Sequence, residues 1–356
     1  MVHSSTGTTV SVIVPVYNGG DKFRRCLESV KRALPQPEEI IVVADGDTDG
    51  SRQLAHAFGF HVLHAPSRGG PARARNLGAR EANGDVLFFI DADVTLPVDA
   101  VRQVTAIFEQ EPNLAALFGS YDDQPGEANF LSQYRNLLHH HIHQRGREDA
   151  STFWGACGAI RREIFVELGG FDERYREPSI EDIELGYRLK KAGHRIRLFK
   201  TLQVKHLKCW NFASMLRTDI FVRALPWTEL ILRDRRLVND LNTDMAGRAS
   251  VILVCILLGA LLLSFWQPLM LAAAGVVAVL LIAINAPLYR FFHRKRGIGF
   301  TLQSIPCHWL YFVYSGAAFA IGTIRHCLAQ NRLHKRVTTL LGEGQPNAET
   351  PMERRR

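Results

Sequence analysis

The stretch Asp85-Val86-Leu87-Phe88-Phe89-Ile90-Asp91-Ala92-Asp93-Val94 decides the fold class. Five consecutive apolar residues, β-branched or aromatic for the most part, make a strand too apolar to have a wet face, and two carboxylates emerge together where it stops. Strands buried on both faces belong to parallel sheets covered by helices. Upstream, Ser11–Asn18 (SVIVPVYN), Glu39–Gly46 (EIIVVADG) and His61–Ala65 (HVLHA) repeat the pattern, and the intervals Asp21–Leu34, Asp49–Phe58, Gly69–Asn83 and Pro97–Glu111 read as helices. The series is β-α-β-α, an α/β domain with a mainly parallel sheet and helices on both faces. Ligands of such sheets bind beyond the carboxyl ends of the strands. Tyr17-Asn18, Asp45 and the pair Asp91/Asp93 stand at those ends.

A chain of 356 residues with 47% hydrophobic and 22% charged side chains buries a large core, which excludes disordered, collagen-like and disulfide-stapled classes. Its six cysteines (Cys26, Cys157, Cys209, Cys255, Cys307, Cys327) are scattered, with no metal-ligand spacing, so reduced thiols are expected. The net charge of +8 suits nucleic acid or an anionic membrane, and the distribution of charge favours the membrane. Residues 249–289 carry no charge over 41 positions, a helical length of about 60 Å, and Gln267-Pro268 interrupts them. A hairpin of two spans is expected, 249–266 and 269–289. A third apolar segment, 303–324, follows. Basic clusters at 233–236, 290–296 and 325–336 flank these segments, where the positive-inside bias explains them without nucleic acid. A strict third crossing would put the last cluster outside, so segment 303–324 is expected to be re-entrant or interfacial. The stretch MVHSSTGTTV lacks a basic region followed by an apolar run, so no signal peptide is expected and the first domain is expected in the cytosol.

Three further groups of residues can carry chemistry. Asp91-Ala-Asp93 suits a hard divalent cation with positions left for phosphate, although an acidic turn after a strand is also common. Arg68-Gly-Gly-Pro-Ala-Arg73-Ala-Arg75-Asn76 sets glycines and arginines at a helix start, where N–H groups, dipole and guanidinium all favour phosphate; a solvated basic helix is the plainer reading. Ser179-Ile-Glu181-Asp182-Ile-Glu184 opens a helix over Glu181–Ala192, and acids in a first turn are explained equally by capping. From 211 to 236 aromatic and aliphatic residues interleave with Arg217, Arg223, Arg233, Arg235 and Arg236, the pattern of a basic amphipathic helix lying on an anionic leaflet.

The order and context of these motifs over roughly 10–210 resemble glycosyltransferase family 2, inverting nucleotide-sugar enzymes with a GT-A fold. The residues that carry the resemblance are Val12-Ile-Val-Pro-Val-Tyr-Asn18, Val42-Val-Ala-Asp45-Gly-Asp-Thr-Asp49-Gly-Ser51, Gly70-Pro-Ala-Arg-Ala-Arg-Asn76, Asp91-Ala-Asp93, Trp154-Gly-Ala-Cys-Gly-Ala-Ile160 and Glu181-Asp182. It implies nucleotide binding by Pro15, Tyr17 and Asp45, donor contact by Arg75 and Asp91, and a Mg or Mn ion on Asp91 and Asp93. His206 in Val204-Lys-His206 stands where some families of this fold add a metal ligand. Asp182 is implied as the general base, with Glu181 orienting it or capping the helix. Ala44 departs from the pattern at the first of two adjacent acids. Arg223-Ala-Leu-Pro226-Trp227 loosely resembles the (Q/R)-x-x-R-W motif, with Pro226 for its arginine, which argues against a processive polysaccharide synthase. Trp154, Arg223 and Trp227 are expected at the acceptor or the membrane interface.

The expected protein is therefore a multi-pass membrane enzyme with a cytosolic GT-A domain over 1–210, interfacial helices over 211–247, a membrane region over 248–325 and a polar tail over 326–356. Its donor would be a nucleotide sugar and its acceptor a membrane lipid or a lipid-linked glycan. The competing reading is a catalytically silent membrane-anchored sensor of nucleotide sugars. A nicotinamide-dependent dehydrogenase is excluded by the lack of G-x-G-x-x-G after the first strand.

Overall fold

The computed structural model describes residues 7–235, 241 and 244–342, with side chains as far as 330. Most of the polar tail, and Arg236, Arg332, Lys335 and Arg336 of the basic clusters, therefore lie outside the described residues or side chains. The N-terminal half alternates as expected: β1 (Val10–Val16), α1 (Gly20–Lys31), β2 (Glu39–Asp45), α2 (Ser51–Ala57), β3 (His61–Ala65), α3 (Pro71–Glu81), β4 (Val86–Ile90), β5 (Val94–Thr95) and α4 (Ala100–Gln110). There follow β6 (Leu114–Tyr121), α5 (Phe130–Arg145), β7 (Cys157–Arg161), α6 (Arg162–Glu167), α7 (Glu181–Lys191) and β8 (Arg195–His206).

All eight strands join one sheet, in the order β3-β2-β1-β4-β7-β6-β8-β5. It is parallel through β3-β2-β1-β4, as expected, and mixed beyond, because β7 runs antiparallel to both β4 and β6 while β8 runs parallel to β6. Alternate residues of the central strands feed two cores, as the pleat requires. Val12, Val14, Val42 and Phe88 pack with Phe23, Leu27, Val104 and Phe108 of α1 and α4 on one face. Ile13, Ile41, Val43 and Phe89 pack with Ala72, Phe165 and Leu185 of α3, α6 and α7 on the other.

A continuous helical run leaves the sheet: α8 (Phe212–Arg217), a π-helical turn Thr218–Ala224, and α9 (Leu225–Asp234). Then come α10 (Met245–Leu263), α11 (Leu269–Ile284) and α12 (Ala286–Gly342). The hairpin expected at 249–266 and 269–289 is present as α10 and α11, packed through Val254, Leu257, Ala260, Ala274 and Leu281. Its second arm stops early. Asn285 ends it by donating to Leu281 O and to Ser250 Oγ of α10, both at 2.9 Å. By length and composition one described helix, α10, is able to cross a membrane; a second crossing arises only if α11 and α12, bent by 66°, form one broken span. Segment 303–324 is not a separate element. It lies in α12, beyond a kink at Gly297, whose φ of 80° no ordinary helical residue adopts. The kink is tied to the sheet domain: Lys295 pairs with Asp123, and Arg296 donates to Gln133 Oε1 at 2.8 Å and to Asp123 O at 3.0 Å.

Candidate active site

The carboxyl ends of β1, β2 and β4 and the start of α3 enclose a cleft of about 420 Å³ lined by Pro15, Tyr17, Asp45, Arg75, Asp91 and Asp93, among others. Local folding explains the convergence. Asp45, buried at the end of β2, accepts the Gly69 and Gly70 N–H groups, both at 2.8 Å, and so fixes the loop that enters α3. Gly70 has φ of 92°, and a Cβ there would fall 2.1 Å from Arg176 O, so only glycine lets the two loops meet. Tyr17 stays 46% exposed, with the Arg68 guanidinium 4.7 Å from its ring centre.

Arg75 is the junction of the site. Only 4% exposed, it donates from Nη2 to Asp91 Oδ1 at 2.6 Å and from Nη1 to Glu181 Oε1 at 2.8 Å. Burial works against its charge, but Asp91, Glu181 and Asp182 outweigh it and hold the guanidinium protonated. A Cβ on Gly155 would sit 3.2 Å from Arg75 Cζ, so that glycine makes room for the ion. Glu181 accepts Ser179 N on its second oxygen at 2.9 Å. It therefore anchors Arg75 to the loop before α7.

Asp182 is half-buried at the start of α7. Its Oδ2 accepts Gly155 N at 2.9 Å and its Oδ1 accepts Ile183 N at 2.8 Å. Desolvation, reinforced by the neighbouring Glu181 carboxylate, raises its pKa from 3.8 to about 7 despite these bonds and Arg75. A carboxylate poised there is suited to proton transfer near neutrality.

Asp93 and His206 are brought together by the chain path. Val94 of β5 pairs with His206 of β8, and Leu207 N donates to Asp93 O at 2.8 Å, which lays the acidic turn beside the end of β8. His206 Nε2 lies 3.7 Å from Asp93 Oδ2, too far for a hydrogen bond. That spacing exceeds the roughly 3.0 Å between neighbouring ligands of an octahedral ion at about 2.1 Å, so a bound ion would draw the two side chains together. Burial disfavours the Asp93 charge, but His206, with Lys208 and Lys22 beyond, outweighs it and lowers the carboxyl to about 2. Among the described residues no three Asp, Glu, His or Cys side chains gather as a closed ligand set. An open pair plus Asp91, whose Oδ1 is already on Arg75, matches a Mg- or Mn-type ion that takes one or two carboxylates and completes its shell with substrate phosphates.

Two of the three residues expected near the acceptor, Arg223 and Trp227, line a second cavity that His206 also borders, enclosed by β6, α5, the π-helical turn, α9 and α12. Trp227 Nε1 donates to Tyr187 OH of α7 at 3.2 Å. Trp154 does not line that cavity; its ring is packed against Tyr121, His139 and His143, 4.8 to 5.2 Å between centroids. Several residues not singled out from the sequence also reach the two spaces. Lys22 and Lys208 line the donor cleft beside Arg68, and Tyr121, Asn136 and His139 line the inner cavity. Lys208 carried a faint signal, lying two residues after His206; the polar run His139-His140-His141 resembled surface rather than wall.

Residues 11–169 match glycosyl transferase family 2, and residues 136–209 match the N-terminal domain of galactosyltransferase. Relatives include the glycosyltransferase GlyG of Streptococcus pneumoniae, 29% identical over 126 residues, 34% of this chain and 42% of that one. The probable glycosyltransferase YdaM of Bacillus subtilis is 30% identical over 206 residues, 53% of this chain and 48% of that one. The chain thus spans roughly two fifths to one half of the length of these two relatives. Among solved structures, the mannosyltransferase PcManGT of Pyrobaculum calidifontis, in complex with GDP-Man and Mn2+, superposes with a TM-score of 0.53 at 17% identity, covering 90% of this chain and 87% of that one. That likeness shows the GT-A fold expected from the sequence. The motif-bearing strand ends gathered into one cleft lie within residues 11–169, the segment that matches glycosyl transferase family 2.

Proposed function

We propose that the chain transfers a sugar from a nucleotide-sugar donor, with inversion, to a hydroxyl of a membrane lipid or lipid-linked glycan at the cytosolic membrane face. The observation that carries this reading is the Arg75 junction, in which one buried cation joins Asp91 of the acidic turn to Glu181, the neighbour of Asp182. Donor side and acceptor side are thereby built around one ion.

In this reading Pro15, Tyr17 and Asp45 receive the nucleoside, and Arg75 with the N-terminus of α3 faces the diphosphate. Asp91, Asp93 and His206 would hold a divalent ion, Mg or Mn, which would supply positive charge to the leaving diphosphate; that the P. calidifontis enzyme is seen with GDP-Man and Mn2+ supports a divalent ion in this reading. Asp182, with its pKa near 7, takes the proton of the acceptor hydroxyl as the oxygen bonds to the anomeric carbon and the bond to phosphate breaks on the opposite face. Lys22 and Lys208 add positive charge where the phosphates lie.

The placement of the acceptor rests on the C-terminal helices. α10 is apolar and only 22% buried over its most apolar window, and Phe265 and Trp266 at the hairpin tip are 85% and 75% exposed. A bilayer would cover them. The interfacial stretch 211–247, with Phe212 and Phe221 exposed beside Arg217 and Arg223, joins the catalytic domain 1–210 to the membrane region 248–325. Holding the site at the membrane raises the effective concentration of an acceptor that is also in the membrane. The test is a panel of nucleotide sugars offered to membranes containing the full chain, with and without Mn2+ or Mg2+, scored for nucleoside diphosphate release and labelled lipid. Donor binding without release from any donor would support a silent sensor and refute the enzyme.

A further inference from the structure

Another cavity, of about 370 Å³, lies at the base of the hairpin formed by α10 and α11, and its size is that of a small-ligand pocket. Residues 244–247 at the start of α10, Ile284 and Asn285 at the end of α11, the start of α12 and the C-terminal end of α5 wall it. The hairpin fixes its depth. α10 runs 19 residues from this base toward the tip, about 28 Å at 1.5 Å per residue, close to the roughly 30 Å of a bilayer's hydrocarbon. With the exposed Phe265 and Trp266 at the far end, the base stands at the level of the lipid head groups of the near leaflet.

The wall has two chemistries. Ile142, Ile284, Leu288 and Phe312 make one part apolar, and Arg145 and Arg147 make another cationic. Both arginines are exposed, and neither makes an ion pair with any described residue. The last turn of α5 does not use them either, because Gly146 N closes it by donating to Ile142 O at 2.8 Å and to His143 O at 3.2 Å. Asp244 is the one carboxylate in the wall, and its Oδ1 is taken by Gly247 N at 2.8 Å, where it caps α10. His141 is uncharged near neutrality: burial, with Arg145, His140 and Arg294 adding to it, lowers its pKa to about 4. The cavity therefore offers two uncommitted guanidinium groups against one committed carboxylate. Guanidinium groups favour phosphate, whose oxygens accept their forked N–H donors, and the apolar part of the wall suits the glycerol and first methylenes beyond it. The positive-inside bias would place arginines anywhere along the membrane rim; a concave basic space at the foot of apolar helices is the form in which anionic lipid head groups are held.

We propose that this cavity binds the phosphate of an anionic membrane phospholipid through Arg145 and Arg147, at a site separate from the donor cleft. The inference rests on the membrane placement of the hairpin proposed above and not on glycosyl transfer. A lipid seated there ties the end of α5 to the foot of α10 and α11, and Leu138 and Ile142 of α5 border both this cavity and the inner one.

The full chain is placed in nanodiscs of phosphatidylcholine and phosphatidylglycerol in equal amounts, and the lipids it retains on release are counted by native mass spectrometry. Phosphatidylglycerol should be retained over phosphatidylcholine by about tenfold or more, the preference that charge-assisted contacts supply. Arg145→Gln combined with Arg147→Gln should remove the preference. Ala246→Trp, which fills the cavity from α10 without changing its charge, should do the same; melting temperatures show that each variant is folded. Arg217→Gln combined with Arg325→Gln removes two exposed charges outside the cavity wall and should leave the preference in place. Equal retention of the two lipids by the wild type, a preference that survives in the folded cavity variants, or one lost equally in the control would overturn the proposal. So would displacement of the retained lipid by inorganic phosphate, compared with chloride at the same ionic strength, since the cavity would then serve a free anion. A chain that does not enter nanodiscs refutes the membrane placement along with this site, whereas one that enters and shows no preference refutes this site alone.

Discussion

Replacing Asp182 by Asn removes a base and a charge at once, and the two effects have opposite signs in different assays. In the wild type both carboxylate oxygens accept backbone N–H groups, Gly155 on one and Ile183 on the other. Asn retains one acceptor and turns an NH2 toward the other N–H, a loss of about 1–3 kcal/mol. Against this, the raised pKa means that the folded state binds the Asp182 proton more tightly than the unfolded state. Its contribution to folding stability therefore falls as pH rises from about 4 to about 7 and is level above that. Asn has no proton to lose. The stability of Asp182→Asn relative to wild type should accordingly climb between pH 5 and pH 8, read as the difference in melting temperature. Turnover moves the other way. Wild-type kcat/KM should rise with pH through an apparent pKa near 7, and the variant should lose that limb and fall by roughly 10²–10⁴-fold at pH 8. A variant that keeps the rising limb and turns over within a few-fold of wild type would refute the assignment of Asp182 as base.

Asp93→Ala should weaken donor binding at least tenfold in the presence of Mn2+ and abolish the response to added metal, measured by calorimetric titration; full turnover in excess chelator would contradict it. Arg75→Met leaves Glu181, 4% exposed, as an unpaired buried charge and should cost about 3–5 kcal/mol in denaturant titration. Adding Glu181→Leu should restore much of that stability without restoring activity, and a single variant as stable as wild type would remove Arg75 from the centre of the site. Tyr314→Phe deletes a hydrogen bond to the buried Asp219 carboxylate, and a loss of about 1.5–3 kcal/mol is expected in a thermal melt of the full chain in nanodiscs.

The parallel half of the sheet is legible because β1, β2 and β4 are largely apolar on both faces and each stops at a residue of different chemistry, as Val86–Ile90 stops at Asp91. β6, β7 and β8 are harder to read. β7 is five residues with one glycine and a terminal arginine, and β8 carries Arg195, Arg197, Lys200 and Lys205 on its wetter positions. Helix α5 hides its role for another reason. Its buried set includes Ser132, Asn136, His140 and His143, so polarity there marks internal hydrogen bonding rather than solvent, as His140 Nδ1 shows by meeting Tyr121 O at 2.7 Å. The candidate donor residues came out of the sequence together since they occupy successive strand ends. What the sequence does not show is orientation: Arg75 and Glu181 are 106 positions apart, and nothing local says that Glu181 turns to Arg75 instead of to Asp182.

The same limit explains why the C-terminal helices are more than an anchor. Hydropathy reads α10 to α12 as apolar length, yet the contacts that join them to the sheet domain are polar and sit at bends. The π-helical turn Thr218–Ala224 adds a residue per turn just where Asp219 must face inward. There Asp219 collects Arg135 from α5 and Tyr314 from α12, three elements on one carboxylate. At the other end of the same face, the kink at Gly297 brings Lys295 and Arg296 onto the Asp122-Asp123 turn, where Lys205 of β8 also pairs with Asp122. β8 ends at His206, the residue that faces Asp93. A shift of α12 would thus act on two ion-pair clusters, one on the inner cavity and one on the strand that carries His206. Since both clusters need α12 in one place, the inner cavity keeps its shape only while the apolar helices are packed against the sheet domain. The inner cavity and the apolar helices are, on this geometry, parts of one assembled unit.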